Sequence, residues 1–404
     1  MPSEFARHWA LDPAVAFLNH GSWGATPRKV LAAQQAWRDR MEAEPVLFFA
    51  HDLEPELDRA RAVVSAFVGA DPQDLAFVPN ATAGFNSVLR SLRFEPGDEL
   101  LTTDHGYDAT RNAMEFVAER AGASVVTAPI SFPGASPKSV LEAVMGAVTP
   151  RTRLAVLDHI TSATSLIFPI QELVAALAAR GIETLVDGAH APGQVALDIP
   201  AIGAAYYTGN LHKWVSAPKG SAFLWVRRDR QGAIHPLAIS HGASAHRQDR
   251  SRFLVEFDWT GSADPSAYLA AADAIRFGDE LLPGGWEALR RRNRALALAG
   301  RDLLCAALEI EPPAPDTMLG CMASLPLRFE RPGSWVPEID QYGDPVHDRL
   351  SDLGMQVLVL PWPQRPDGGP WRRLVRISAA AYNDLAQFER LAAVLPAASA
   401  AAAA

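Results

Sequence analysis

From Leu75 to Val226 the chain repeats one pattern. A short run rich in apolar and β-branched residues is followed by a stretch with helical spacing, and then by another such run. Runs at Leu75–Val78, Glu99–Thr103, Ser124–Ala128, Leu154–Asp158, Glu183–Asp187, Ala205–Thr208 and Ala222–Val226 have the length of strands. They carry no polar alternate face, so both faces need a cover. Helical segments lie between them, at about Ala83–Leu92, Ala109–Arg120, Pro137–Ala147 and Gln171–Arg180. Strands alternating with helices imply an α/β fold whose mostly parallel sheet is buried between helices. In such sheets ligands bind beyond the carboxyl ends of the strands. Residues just after each run are therefore the candidates for chemistry.

The flanks have a different texture. The chain runs extended through Phe17–Gly21 and enters a helix after Thr26-Pro27, where proline's missing N–H costs nothing. A helix over about Leu53–Val68 places Leu57, Val64 and Phe67 on one face. A long helix is expected from Asp264 to Leu282 and another from Trp286 to Ala306. Strands near Met322–Leu327, Gln356–Leu360 and Arg373–Ile377 then close the chain. A length of 404 residues is too great for one simple core. The expectation is a large domain over residues 17–265 and a smaller α/β domain built from 1–16 and 266–396. The Ala-rich end, residues 397–404, reads as a frayed tail.

The formal net charge is -9 and no basic stripe is present, which argues against a nucleic acid or an anionic membrane surface as partner. Arg290-Arg291-Arg292 falls in a helical stretch and reads as a solvated face. No apolar run has the length of a membrane span, and the first residues lack the pattern of a signal peptide. The 2 cysteines, Cys305 and Cys321, speak against a disulfide framework and for a reducing cytoplasm. Neither the glycine-rich dinucleotide spacing nor the Gly-Lys-Ser/Thr phosphate loop occurs, which disfavours nicotinamide and nucleoside-triphosphate chemistry.

Lys213 has the setting of a reactive residue. It follows a histidine, lies between two predicted strands, and precedes the turn Pro218-Lys219-Gly220. A flexible amine between buried elements suits a Schiff base with an aldehyde cofactor, pyridoxal phosphate. Such a cofactor needs a phosphate cradle, a partner for its ring nitrogen and a grip for the substrate carboxylate. Asn80-Ala81-Thr82 opens a helix after the first central strand and offers free N–H groups and a hydroxyl to a phosphate, although a simple helix cap reads the same way. Asp187 ends a strand and can hold the pyridine nitrogen protonated, with His190 close enough to reach the phenolic oxygen. Either His105 or Tyr107, both after the strand Leu100–Thr102, can stack on the ring. Arg376, flanked by apolar residues in the last strand, can grip a carboxylate with two parallel hydrogen bonds, and Asn19 and His20 can close over the same pocket.

Taken in order, Asn80-Ala81-Thr82, Asp187-Gly188-Ala189-His190, His212-Lys213 and Arg376 resemble the class V aminotransferases, a branch of the fold-type I pyridoxal-phosphate enzymes. Leu18–Gly24, Asp158–Ser165 and Trp259–Ser266 look more specifically like the isopenicillin N epimerase subgroup. The resemblance spans about Phe17–Leu395. It implies Lys213 as the Schiff-base lysine and Asp187 as partner of the ring nitrogen. His190 and Thr161 would lie near the phenolic oxygen. Ala81, Thr82, Asn210 and His212 would hold the phosphate, and Arg376 the carboxylate of an amino-acid substrate. Thr260, Gly261 and Ser262 resemble a stretch that reaches the phosphate of a neighbouring subunit, so a homodimer is implied. Ser262 and Ala263 stand where close relatives often carry Thr and Arg, so the charged side chain of those relatives has no counterpart at this point.

The resemblance also narrows the chemistry. Cysteine desulfurases of this class need a nucleophilic cysteine on a loop of the small domain, and Leu360–Pro370 has none. The expected activity is proton abstraction at Cα of an amino acid, epimerase-like, with the carbanion stabilised through the ring. Transamination and carbon–sulfur lysis share the same first steps and stand as alternatives. A second acid for epimerisation is sought in Tyr107, His20 or another residue. A non-catalytic module of the same fold would be expected to lose Lys213 or Asp187, and this chain keeps both.

Overall fold

The structure is a computed structural model that describes residues 3–327, 343–363 and 372–401. Its strands are β1 (Ala16–Phe17), β2 (Leu75–Val78), β3 (Glu99–Thr103), β4 (Ser124–Ala128), β5 (Thr152–Asp158), β6 (Glu183–Asp187), β7 (Tyr206–Asn210), β8 (Ala222–Val226), β9 (Met322–Pro326), β10 (Met355–Gln356), β11 (Leu358–Trp362) and β12 (Arg372–Ser378). The 7 strands β2–β8 form one sheet in the order β2-β8-β7-β6-β5-β3-β4. Every pairing is parallel except those of β8, which runs against both β7 and β2. The apolar runs are buried on both faces, as their lack of alternation requires, except at the edge strand β4, where Ser124 is exposed and Val125–Thr127 are half-buried.

Register decides what the sheet presents. Asp158 at the end of β5 pairs with Asp187 at the end of β6, and Asp187 pairs with Thr208 in β7. Strand β7 reaches Asn210, two residues beyond the expected end, so three neighbouring strands deliver polar residues to one edge. The helix after β2 begins at Ala81, earlier than expected, because Asn80 caps it by accepting from Ala83 N at 2.8 Å.

The C-terminal part builds a second, antiparallel sheet in the order β11-β12-β9. Arg376 stands at its centre, with Leu358 on one side and Ser324 on the other. Strand β1 pairs in parallel with β10, and Ser378 N donates to Leu18 O, so Phe17 and Leu18 attach to this part of the molecule. The expected strand at Gln356–Leu360 is two, β10 and β11.

Two helix expectations need correction. The stretch expected as one helix from Asp264 is two, Ser266–Leu269 and Ala271–Glu280. The residue before a proline is disfavoured in helix, which is why Asp264, ahead of Pro265, stays outside. The Ala-rich end is not frayed at its start: Leu385–Ala401 is helical, and Leu395, Ala398 and Ser399 are buried. Among the described residues no helix is long and apolar enough to cross a membrane.

Candidate active site

Lys213 sits on a short connection between β7 and β8 that is tied closed at its base. Leu211 N and His212 N both donate to Ser221 O at 3.1 Å, and Nδ1 of His212 donates to the same carbonyl at 2.8 Å. Ser216, with φ +60°, donates its N–H to Lys213 O. The lysine backbone is also clamped from the N-terminal segment. His20 Nε2 donates to Lys213 O at 2.9 Å, while His20 Nδ1 accepts from Tyr382 Oη at 2.7 Å. Gly24 packs so closely that a Cβ there would fall 2.2 Å from Lys213 O.

The side chain of Lys213 enters a cavity of about 360 Å³ at the carboxyl edge of the large sheet. Its amine lies 3.0 Å from His190 Nε2. Loss of water lowers the lysine pKa to about 7; Arg376 pushes the same way, against Asp187 and Asp158. A large share of the amine is therefore uncharged at neutral pH, the form a nucleophile needs. Asp187 is buried, with Thr110 Oγ1 donating to one oxygen at 2.8 Å and Ala189 N to the other at 3.0 Å. Burial raises its pKa from 3.8. Asp158 beside it is raised well above the ordinary carboxyl value, by burial first and by the Asp187 charge second. A cationic ring placed between these carboxyls and the lysine would relieve both costs.

At the other end of the cavity lies the first turn of the helix Ala81–Ser91. Asn210 Oδ1 accepts from Ala81 N at 2.9 Å, which fixes the strand end against the helix start. Thr82, His212, Lys219 and Gly220 complete a wall rich in donors and positive charge. Gly84 lets this helix lie against β7, since a Cβ there would meet Thr208 Oγ1 at 2.2 Å.

Arg376, buried at the third side, is held by neutral oxygens: Ser162 O at 2.8 Å, Ser162 Oγ at 3.2 Å, Ser22 Oγ at 2.8 Å and Asn19 Oδ1 at 3.3 Å. These atoms orient the guanidinium along one wall of the cavity.

The structure brings Ala81, Thr82, Tyr107, Asp187, His190, Asn210, His212, Lys213 and Arg376 to this one cavity. Other candidates lie off its walls. His105 is fully buried, Nε2 donating to Ile130 O at 3.1 Å and Nδ1 accepting from Thr164 Oγ1 at 2.6 Å, with Trp362 against its ring. Of the two ring-stacking candidates, only Tyr107 faces the cavity. Thr161 spends its hydroxyl on Thr164 and on Leu166 N, and its neighbour Ser162 lines the wall instead. Asn19 and His20 act behind the cavity, through Arg376 and the Lys213 backbone. Thr260 and Gly261 line a separate apolar cavity of about 220 Å³ with Phe49, Phe77 and Leu237, and Ser262 is exposed nearby. Pro79 borders both cavities, so the two meet at the start of one helix.

Asp158, Thr110, Ser22 and Lys219 have positions in the site that the sequence reading did not assign. Asp158 had a signal, as the last residue of a predicted strand next to the one ending at Asp187. Ser22 and Thr110 had none, because both act through tertiary contacts.

A lysine with its pKa lowered to about 7, a buried carboxyl and a helix start rich in N–H donors fit pyridoxal phosphate. On this α/β sheet they define an enzyme that uses that cofactor. The chain belongs to the class-V aminotransferase family, whose model matches residues 18–263. It is 36% identical to isopenicillin N epimerase of Amycolatopsis lactamdurans over 400 residues, 96% of this chain and 96% of that protein. It is 35% identical to putative L-cysteine desulfhydrase 2 of Oryza sativa subsp. japonica, over 82% of this chain and 70% of that one. Among solved structures it resembles the cystine C–S lyase C-DES in complex with its product cysteine persulfide, with a TM-score of 0.76 at 20% identity over 95% and 97% of the two chains. The apo cysteine desulfurase of Thermococcus onnurineus NA1 is similar in fold, with a TM-score of 0.78 at 18% identity over 99% of both.

Proposed function

We propose that this enzyme removes and returns a proton at Cα of an amino-acid substrate, in the manner of an isopenicillin N epimerase. One observation carries the reading: the Lys213 amine, Asp187 and Arg376 converge on a single cavity from three separate parts of the chain. Bound pyridoxal phosphate supplies the electron sink that makes a Cα proton removable. Ala81, Thr82, Asn210 and His212 would hold its phosphate, Asp187 its ring nitrogen, His190 its phenolic oxygen and Tyr107 its ring face. Arg376 anchors the substrate carboxylate and so presents Cα to Lys213. The lysine amine takes the proton as general base. His20 is a poor second acid, since both of its nitrogens are engaged behind the cavity; Tyr107, which lines the cavity, or another residue would supply it.

A carbon–sulfur lyase is the second reading, favoured by the desulfhydrase relatives at similar identity. A persulfide relay has no support in the described residues. Cys321 is fully buried and burial pushes its thiol up to about 12, while Cys305 is buried and also raised. Residues 364–370, part of the loop compared with desulfurases, lie outside the described residues. The deciding experiment is a panel of amino acids incubated with the holoenzyme and assayed for racemisation, keto acid, and ammonia with sulfide. Racemisation alone supports the first reading, sulfide release the second, and keto acid without either overturns both in favour of transamination.

The assembly proposed is a homodimer. Exposed Leu237 and Ile239 and the apolar cavity beside Thr260 and Gly261 support it, because a second copy covering that face would bring those residues towards the start of the helix that would hold the phosphate. The 2 free, buried cysteines support a cytoplasmic location.

A further inference from the structure

Trp214 follows the reactive lysine directly, and its indole is buried under the cavity floor. Indole Nε1 lies 3.4 Å from Nδ1 of His190, and Nε2 of the same imidazole lies 3.0 Å from Lys213 Nζ. The three side chains thus form a line: indole, imidazole, amine.

The direction of that line is fixed by chemistry. An indole nitrogen can only donate. Nδ1 of His190 therefore accepts, and a neutral His190 carries its proton on Nε2. That proton points at Lys213 Nζ, which can accept it only as a free amine with a lone pair. An ammonium there would set donor against donor.

We propose that Trp214 is a positioning residue that locks His190 in the Nε2–H tautomer and thereby holds Lys213 as the free amine. The proposal deepens the reading of Lys213 as cofactor anchor and rests on it. Bond formation to an aldehyde needs that lone pair, so the indole would keep the lysine competent before the cofactor arrives.

Packing fixes Trp214 at both backbone and ring. Gly193, at φ +91°, lies so close that a Cβ would fall 2.6 Å from the Trp214 carbonyl carbon. The His20 ring sits 4.9 Å from the indole. Arg376 from β12, Asp187 from β6 and Asp158 from β5 are the charged groups facing the pair, with His20 and His212 alongside. Burial, with the Arg376 charge behind it, holds the His190 pKa well below 6.5, so the ring does not take up the second proton that would break the line.

The test uses the full-length apoprotein. Nitrogen-15-labelled histidine, with His190→Gln to assign the signals, reports the tautomer by NMR near pH 7.5. A protonated Nε2 is expected; a protonated Nδ1, or an imidazolium, overturns the proposal. The second measurement is the pH dependence of trace acylation at Lys213 in wild-type and Trp214→Phe apoprotein. The variant midpoint should move up by about one unit, giving about fivefold slower acylation at pH 7. An unchanged midpoint in a folded variant overturns the proposal. Should Trp214→Phe not fold, the wild-type NMR result decides alone. Borohydride trapping of the cofactor on Lys213 tests the anchor separately, and neither readout depends on it.

Discussion

At the scale of single residues, the site works by removing water and compensating charge selectively. Lys213 loses most of its hydration without gaining a close carboxylate contact, and its pKa falls to about 7. Replacing it with alanine should lower turnover by at least about 10³-fold, in the range general-base and covalent roles reach. Undiminished turnover in Lys213→Ala would remove it from the mechanism. The same shift makes stability depend on pH. Between pH 7 and 10.5 the unfolded chain holds a proton that folded Lys213 has shed, so the apoprotein gains stability as pH rises across that window. Urea melts of wild-type and Lys213→Met apoprotein should diverge there by up to about 1.4 kcal/mol per pH unit; parallel curves would contradict the assignment. Arg376 makes a different prediction. Arg376→Lys keeps the charge and loses the fork, so KM for the amino acid should rise about 10- to 100-fold. Steady-state kinetics with one good substrate check this, and an unchanged KM would place the carboxylate elsewhere.

At the scale of elements, the strand ends matter more than any one side chain. The parallel register of β5, β6 and β7 sets Asp158, Asp187 and Thr208 side by side, so two carboxyls share one buried edge. Both have raised pKa values, and this reverses the sign seen for lysine. The folded apoprotein holds protons that the unfolded chain releases above 3.8, and loses stability as pH rises from there. Asp158→Asn should therefore stabilise the apoprotein at pH 7, on the order of 1 kcal/mol, measured by thermal melting; a destabilised variant would argue against this account. The turn that carries the lysine is gripped by the N-terminal segment at Gly24. Gly24→Ala forces a Cβ to within 2.2 Å of Lys213 O. It should cost about 1–3 kcal/mol of stability and weaken cofactor binding together. Much of this level was legible. The seven central strands follow from their apolar runs, and Asp187 and Lys213 stood out as residues after strand ends. The split of Ser266–Glu280 into two helices, and the burial of the Ala-rich end, were not legible. Both depend on which surfaces meet, and helical spacing carries no record of that.

At the scale of the whole molecule, the site is assembled from parts far apart in sequence. Asn19 and Ser22 near the N-terminus orient Arg376 in the antiparallel sheet, and His20 holds the backbone of Lys213 in the loop between β7 and β8. The cavity is therefore a product of how the parts of the chain close on one another. The exposed apolar face near Leu237 and Ile239 belongs to this scale too. Leu237→Glu should turn a dimer into monomers in sedimentation experiments and lower cofactor affinity with it, and a dimer unaffected by the charge would place the interface elsewhere.

The sequence by itself determined the α/β sheet and the family, and it singled out Lys213 as the candidate reactive lysine. These rest on local signals: period, strand length, and residue types next to strand ends. Only the tertiary structure decided that Tyr107 rather than His105 faces the cavity, that His20 supports the lysine from behind, and that Asp158 joins Asp187. Those outcomes depend on register and on which side of a loop points inward. A change of one residue in either reverses them without altering the pattern that predicts the fold.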